Sequence, residues 1–303
     1  MSVSGESDNS DVLIALLGLT GAGKTTFARA ASGDESLEVG HSIYPCTQEP
    51  KVVRFTLDGR RIGLIDTPGF DDDNRSDVEI LEAIVEWLGS KGYLKRHRLD
   101  GLILLHPITV HRVGGTERQR TRLLKKILGP DAYKRIIIAT TMWEQIKDPE
   151  DMQRRIDGRK ADLWSDFLEN GAELVPHENT KDSARKIISK AIKTSDRLGK
   201  LKPKLHEELL KNPRVVETTA GVEAKTNIER EIENCNKLLR ENKKKEPTRP
   251  GKGRSDPKTV RDWEGWSEER QALHRKLHEH NARLKKLNSL SFRFKNWFTK
   301  LFL

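Results

Sequence analysis

GLTGAGKTT, residues 18–26, is the stretch of this sequence whose residue types and spacing most directly imply chemistry. Gly18, Gly23, Lys24 and Thr25 fit the spacing G-x-x-x-x-G-K-[ST], with Gly21, Ala22 and Thr26 within or beside it. Glycines let successive backbone N–H groups converge on phosphate oxygens, and a helix beginning there adds its positive end. Lys24 can carry an ammonium to the β- and γ-phosphates, and the Thr25 hydroxyl is a ligand for Mg²⁺. A chance glycine turn would show the same letters. The context argues for the phosphate site, because apolar DVLIALLGL (11–19) reads as a strand before it and a helical segment follows.

Further on, LIDTPGF (64–70) ends a second apolar strand. An Asp in that place can hold a water on Mg²⁺, so Asp66 joins the candidate metal ligands. The Gly69 N–H can reach a γ-phosphate. Between the two motifs, GHSIYPCTQEP (40–50) supplies Thr47 as the candidate that completes the Mg²⁺ shell.

Such residues need a frame. VVRFTLDGRRIGLID (52–66) reads as two strands joined at Asp58-Gly59, a hairpin signal. GLILLHPI (101–108), RIIIATT (135–141) and AELVPH (172–177) read as further strands. DVEILEAIVEWL (77–88) and ERQRTRLLKKIL (117–128) carry apolar residues at helical spacing. The expected frame is a mostly parallel sheet with one antiparallel hairpin and helices on both faces, over residues 11–195. Residues 1–10 read as a polar, disordered tail.

From residue 196 the pattern changes. Ile228, Ile232, Cys235 and Leu239 form one short heptad seam, and Leu273, Leu277, His280, Leu284 and Leu287 form another. KKKEPTRPGKGRSDPK between them cannot continue a helix, so 243–262 is expected as a flexible linker between two helices folded back on each other. Residues 193–303 hold 28 Lys+Arg against 16 Asp+Glu, whereas the rest holds 28 against 30. The tail therefore carries the net charge of +10. It suits an anionic surface or a solvated helix face.

Together these motifs resemble a P-loop GTPase of the translation-factor-related class. The resemblance is to the AIG1-type and septin-like branch, and within it to a group of fungal G-domain proteins. LLHPITVHRVGGTERQRTRLLKKILG (104–129), ATTMWE (139–144) and GAELVPHENTKDSARKII (171–188) carry it. It implies an α/β P-loop NTPase with a Ras-like G domain, followed by an α-helical C-terminal region. It also implies GTP/GDP binding with Mg²⁺ through Gly21, Gly23, Lys24, Thr25, Thr26, Thr47, Asp66 and Gly69. Phe70 stands where small Ras-like GTPases place the water-orienting Gln, so hydrolysis is expected to be slow. No residue is assigned a catalytic role, Arg75 and Arg112 included. A nucleotide-stabilised scaffold without turnover and an ATP-binding protein are the alternatives.

TTMWE occupies the place of the guanine-reading Asn-Lys-x-Asp. In register, Thr141 opens the segment, Met142 supplies a polarisable stem to lie on a purine and Glu144 supplies a carboxylate acceptor. Shifted by one, Trp143 would stack without an acceptor. In the third reading Trp143 belongs to the core and Glu144 faces water. Asn179 and Thr180, after the last strand, are placed to close the pocket around the base. The in-register reading predicts a guanine preference set by Glu144.

Other signals are weaker. His274, His278 and His280 share a helix, but no Cys lies near and His280 sits in a seam. His106 and His111 lack a ligand spacing. The basic residues of 243–254 have no aromatic platform in sequence, and no specific nucleic acid is expected. LSFRFKNWFTKLFL (290–303) puts Leu290, Phe294, Trp297 and Leu301 on one stripe, fit for a membrane interface or for packing on protein. The two cysteines, Cys46 and Cys235, form no disulfide framework, which suits a cytoplasmic protein. Self-association through the G domain or the tail helices is also expected.

Overall fold

The computed structural model describes residues 12–37, 51–66, 76–88, 99–109, 113–251 and 256–292. The N-terminal tail, the loop with Thr47, the stretch with Gly69, Phe70 and Arg75, His111 and Arg112, and residues 293–303 lie outside the described residues.

Six strands make one sheet in the order β2-β3-β1-β4-β5-β6. They are β1 (Val12–Gly18), β2 (Lys51–Leu57), β3 (Arg60–Asp66), β4 (Gly101–Pro107), β5 (Ile136–Thr141) and β6 (Glu173–Pro176). Only the edge pair β2–β3 is antiparallel. Asp58 and Gly59, both at positive φ, make the two-residue turn between them. The sheet is the one the apolar runs implied, with strand ends shifted by a residue.

Continuous apolar runs are what a sheet covered on both faces requires. Val12, Ile14 and Leu16 of β1 pack on one side with Phe27 and Ala28 of α1 (Lys24–Ser32) and Ile187 and Ile188 of a later helix, Lys181–Leu198. Leu13, Ala15 and Leu17 face the other side. There they meet Val78 and Leu81 of α2 (Asp77–Leu88) and Leu123 and Ile127 of α3 (Gly115–Leu128). The chain continues through α4 (Pro130–Tyr133), α5 (Pro149–Arg159) and a π-helical turn at Lys160–Trp164. Then come α6 (Ser165–Glu169), α7 (the Lys181–Leu198 helix), α8 (Lys204–Lys211), α9 (Thr219–Lys244) and α10 (Pro257–Ser289).

The second apolar layer does not stop at α7. Leu201, Leu205, Leu209, Val215, Ala220, Ala224, Ile228, Leu287 and Phe292 belong to the same buried cluster as α2 and α3. Backbone hydrogen bonds stitch the end of α10 back to the start of the tail, Val215 N–H to Leu290 O at 3.2 Å and Phe292 N–H to Pro213 O at 2.7 Å. The two seams meet along α9 and α10, with Ile228, Cys235, Leu273 and Leu287 buried.

Two tail expectations change. Pro257 opens α10, and Asp256 caps it by accepting from Thr259 N–H at 3.2 Å. The helix therefore begins inside the stretch expected as linker, because Pro is favourable at a first helical position though not within a helix. Leu290 caps the end of α10 in extended conformation and packs on the core, and Phe292 is buried. The interfacial stripe thus loses Leu290 to the core, and its remainder lies outside the described residues. Among the described residues no helix is long and apolar enough to cross a membrane.

Candidate functional site

The site is built where β1 ends and α1 begins. Gly18 has φ +150°, and a Cβ there would lie 2.3 Å from the Leu105 carbonyl oxygen of β4. The first glycine of the motif is therefore required by strand contact as well as by loop geometry. Gly21 and Gly23 take positive φ, turning the loop into α1, and Thr26 lies half-buried in its first turn. Ala22 is fully buried; its N–H donates to Leu19 O at 3.1 Å. The Ala22 carbonyl accepts from the buried Thr141 hydroxyl at 3.1 Å. That bond ties the phosphate loop to the end of β5.

Lys24 folds back beneath the loop, its Nζ donating to Leu19 O at 2.9 Å and Gly18 O at 3.2 Å. Burial pushes its pKa down to about 8, with the nearby Asp66 carboxylate pulling the other way. A cation this poorly hydrated is poised for an anion.

The Thr25 hydroxyl donates to Asp66 Oδ2 at 2.7 Å, and Asp66 is buried at the end of β3. One hydroxyl and one carboxylate oxygen, from two motifs 41 residues apart, thus meet beside the ammonium. This hard oxygen pair fits Mg²⁺, which takes one or two protein ligands and fills the rest of its shell with water and phosphate. Thr25 and Asp66 would hold the ion, and the ion would neutralise charge on phosphate oxygens.

Where the sequence placed a base reader, β5 is followed by Met142, held at φ +64°. Its sulfur lies 3.6 Å from the Thr109 hydroxyl. Trp143 is half-buried and its indole N–H donates to Thr140 O at 2.9 Å, while Glu144 is exposed. Across from them Asn179 takes φ +55° and is exposed. The Thr180 hydroxyl accepts from Ser183 N–H at 3.1 Å as the N-cap of α7, so that oxygen is already engaged.

Three polar groups escaped the reading of the sequence. His177, directly after β6, is buried edge-on against Phe27 at 4.9 Å and within 3.1 Å of the Ser183 hydroxyl. Burial pushes its pKa down to about 4, against the pull of Glu144. His106, dismissed on its spacing, is 2.5 Å from buried Glu117 of α3 and edge-on to Trp164. Asp77 is buried at the start of α2. Only the last had a local signal, Ser76 and Glu79 three apart, which form a capping box with Glu79 accepting from Ser76 N–H at 2.7 Å.

A family model described as "50S ribosome-binding GTPase" matches residues 13–141. Among solved structures, Toc33 from Arabidopsis thaliana in complex with Mg²⁺ and GMPPNP aligns with TM-score 0.51 and 18% identity, over 63% of this chain and 86% of that one. Toc33 in complex with GDP and Mg²⁺ aligns with TM-score 0.51 and 20% identity, over 64% and 86%. A third structure, described by the importance of dimerization for the GTPase activity of the chloroplast translocon components atToc33 and psToc159, gives 0.51 and 19% over 64% and 85%. No curated protein sequence matches the chain. Sheet order, phosphate loop and these alignments together give the chain the P-loop GTPase G-domain fold, followed by C-terminal helices.

Proposed function

We propose that the chain binds GTP and GDP with Mg²⁺ and hydrolyses GTP slowly, as a nucleotide-controlled switch or self-assembling module. The observation that carries the reading is the convergence of Lys24, Thr25 and Asp66 on one point under the phosphate loop. Gly21, Ala22, Gly23 and Thr26 frame that point, and Thr47 and Gly69 are proposed to complete it. Slow turnover follows from Phe70, which has no polar group to orient a water.

Guanine preference is assigned to Glu144, an exposed carboxylate at the end of β5, with Met142 and Trp143 beside it. The chain is proposed to belong with the AIG1-type and septin-like branch of P-loop GTPases, among its fungal G-domain proteins. Toc33 was solved with GMPPNP or GDP and Mg²⁺, and dimerization is described as important for the GTPase activity of atToc33 and psToc159. By analogy we assign this chain a homo-oligomer through its G domain or tail helices. A cytoplasmic location with peripheral membrane contact through 293–303 completes the reading.

Equilibrium binding of GTP, GDP, ATP and ADP to the purified chain tests it, alongside Lys24→Ala and Glu144→Ala. Lys24→Ala should weaken all four, since a charge-assisted contact contributes ~1.5–3 kcal/mol. Glu144→Ala should reduce only the preference for guanine. Equal affinity for GTP and ATP in the wild type would remove Glu144 as base reader. Multiple-turnover phosphate release then separates a GTPase from a scaffold that only binds.

A further inference from the structure

Asp77 is where the G-domain sheet layer and the tail share one buried charge. Its carboxylate accepts from Gln119 Nε2 at 2.8 Å and from Arg120, both on α3, and from Asn227 Nδ2 of α9 at 3.1 Å. All of Asp77, Arg120 and Asn227 are buried. Arg230 Nη1 in turn donates to Asn227 Oδ1 at 3.2 Å, fixing which way the amide faces. Five residues further along α2 the contact continues outward: Lys286 of α10 lies 2.6 Å from Glu82. Against the cost of burial, hydrogen bonds from Ser76 and, to a smaller extent, the positive charges of Lys286 and Arg283 hold the Glu79 carboxyl below its usual range. The acidic start of α2 is thus clasped by the basic tail.

Packing alone would hold the tail as well. A buried ion pair contributes little net stability over apolar residues of the same shape, so its value lies in fixing one arrangement. Its location suggests what is being fixed. Asp66, bonded to Thr25, and Asp77 are the two tethered ends of the stretch that carries Gly69. Any movement of α2 with nucleotide state has to be matched at Asp77, and Asn227 sits on that carboxylate.

We propose that the C-terminal helical hairpin is part of the nucleotide switch, with Asn227 and Lys286 as positioning residues that act through Asp77 and Glu82 to set the relative affinity for triphosphate and diphosphate. The inference rests on the nucleotide-binding reading above. By linkage, nucleotide state then changes the hold on the hairpin by the same factor that the hairpin changes the affinity ratio.

The test uses the full chain and measures the ratio of GMPPNP to GDP dissociation constants in wild type, Asn227→Leu, Lys286→Glu and the charge swap Lys286→Glu/Glu82→Lys. Amide exchange of α9 and α10 is followed with each nucleotide. Each single variant should shift the ratio, about fivefold or more for Asn227→Leu, the lower range of measured couplings. The charge swap should restore it. In wild type, exchange in α9 and α10 should differ between the two nucleotides, and Asn227→Leu should reduce that difference. Variants that melt earlier but keep the wild-type ratio would show a purely structural contact and overturn the inference. Absence of nucleotide binding in the wild type would instead overturn the nucleotide reading, and this inference with it.

Discussion

Lys24 shows how much of a site's behaviour comes from one side chain's surroundings. Its ammonium is buried against two carbonyl oxygens, and that burial pushes its pKa from the ordinary 10.5 down to about 8. Phosphate contact favours the charged form, so its pKa rises on nucleotide binding. Above the empty-state pKa, each binding event must therefore take up a proton. Affinity should be flat below about pH 8 and should fall by up to roughly tenfold per pH unit above it. Titration calorimetry in two buffers of different ionisation enthalpy reads that proton directly. A flat affinity across the same range, with no proton uptake, would mean that Lys24 is already exposed to solvent in the empty protein. Asp66 and Thr25 were legible as candidate ligands from their motifs. The 2.7 Å bond between them was not, since it depends on β3 lying beside β1.

Thr180 separates two roles that are the same in sequence. As a closing residue of the base pocket, its loss would alter base preference. As the N-cap of α7, its loss leaves Ser183 N–H without its acceptor at the start of a helix that covers one face of the sheet. The geometry favours the cap. Thr180→Ala should lower stability by about 1 kcal/mol, the usual cost of losing such a cap, and leave the GTP-to-ATP affinity ratio unchanged. Denaturant unfolding and base competition on the same preparation check both halves. Helix and strand existence was readable at this scale because period and capping are local. α2 was expected at 77–88 and lies there, while α3 starts at Gly115 rather than residue 117. The start of α10 inside the expected linker was missed because Pro257 breaks a helix only when something precedes it in that helix.

The tail is the part of the molecule whose place only the whole fold decides. Its composition, basic and seam-bearing, reads equally well as a separate coiled coil. Instead Leu201, Leu205, Leu209, Val215, Ile228 and Leu287 complete the layer over α2 and α3. Ending the chain after residue 199 would uncover that layer, and a fully buried aliphatic side chain contributes about 1.5–3 kcal/mol. Such a truncation should aggregate or melt well below the full chain in thermal unfolding. A soluble fragment with an unchanged melting temperature would show that the tail is an independent module. The basic charge is partly met here too, with exposed Lys286 paired to Glu82 and Arg283 adding positive charge near Glu79.

What the sequence by itself determined is the phosphate loop, the place of Asp66 at the end of its strand and the α/β sheet. Each depends on neighbours within a few residues, on local spacing, backbone freedom and apolar period. The tertiary structure alone decided that Thr141 braces the loop through Ala22, that His177 is buried and neutral, and that Asn227 reaches Asp77 across 150 residues. Such contacts join side chains whose separation along the chain carries no trace of their distance in space. Their partners are chosen by which strands pair and which helix faces meet, and that choice is a property of the packed core.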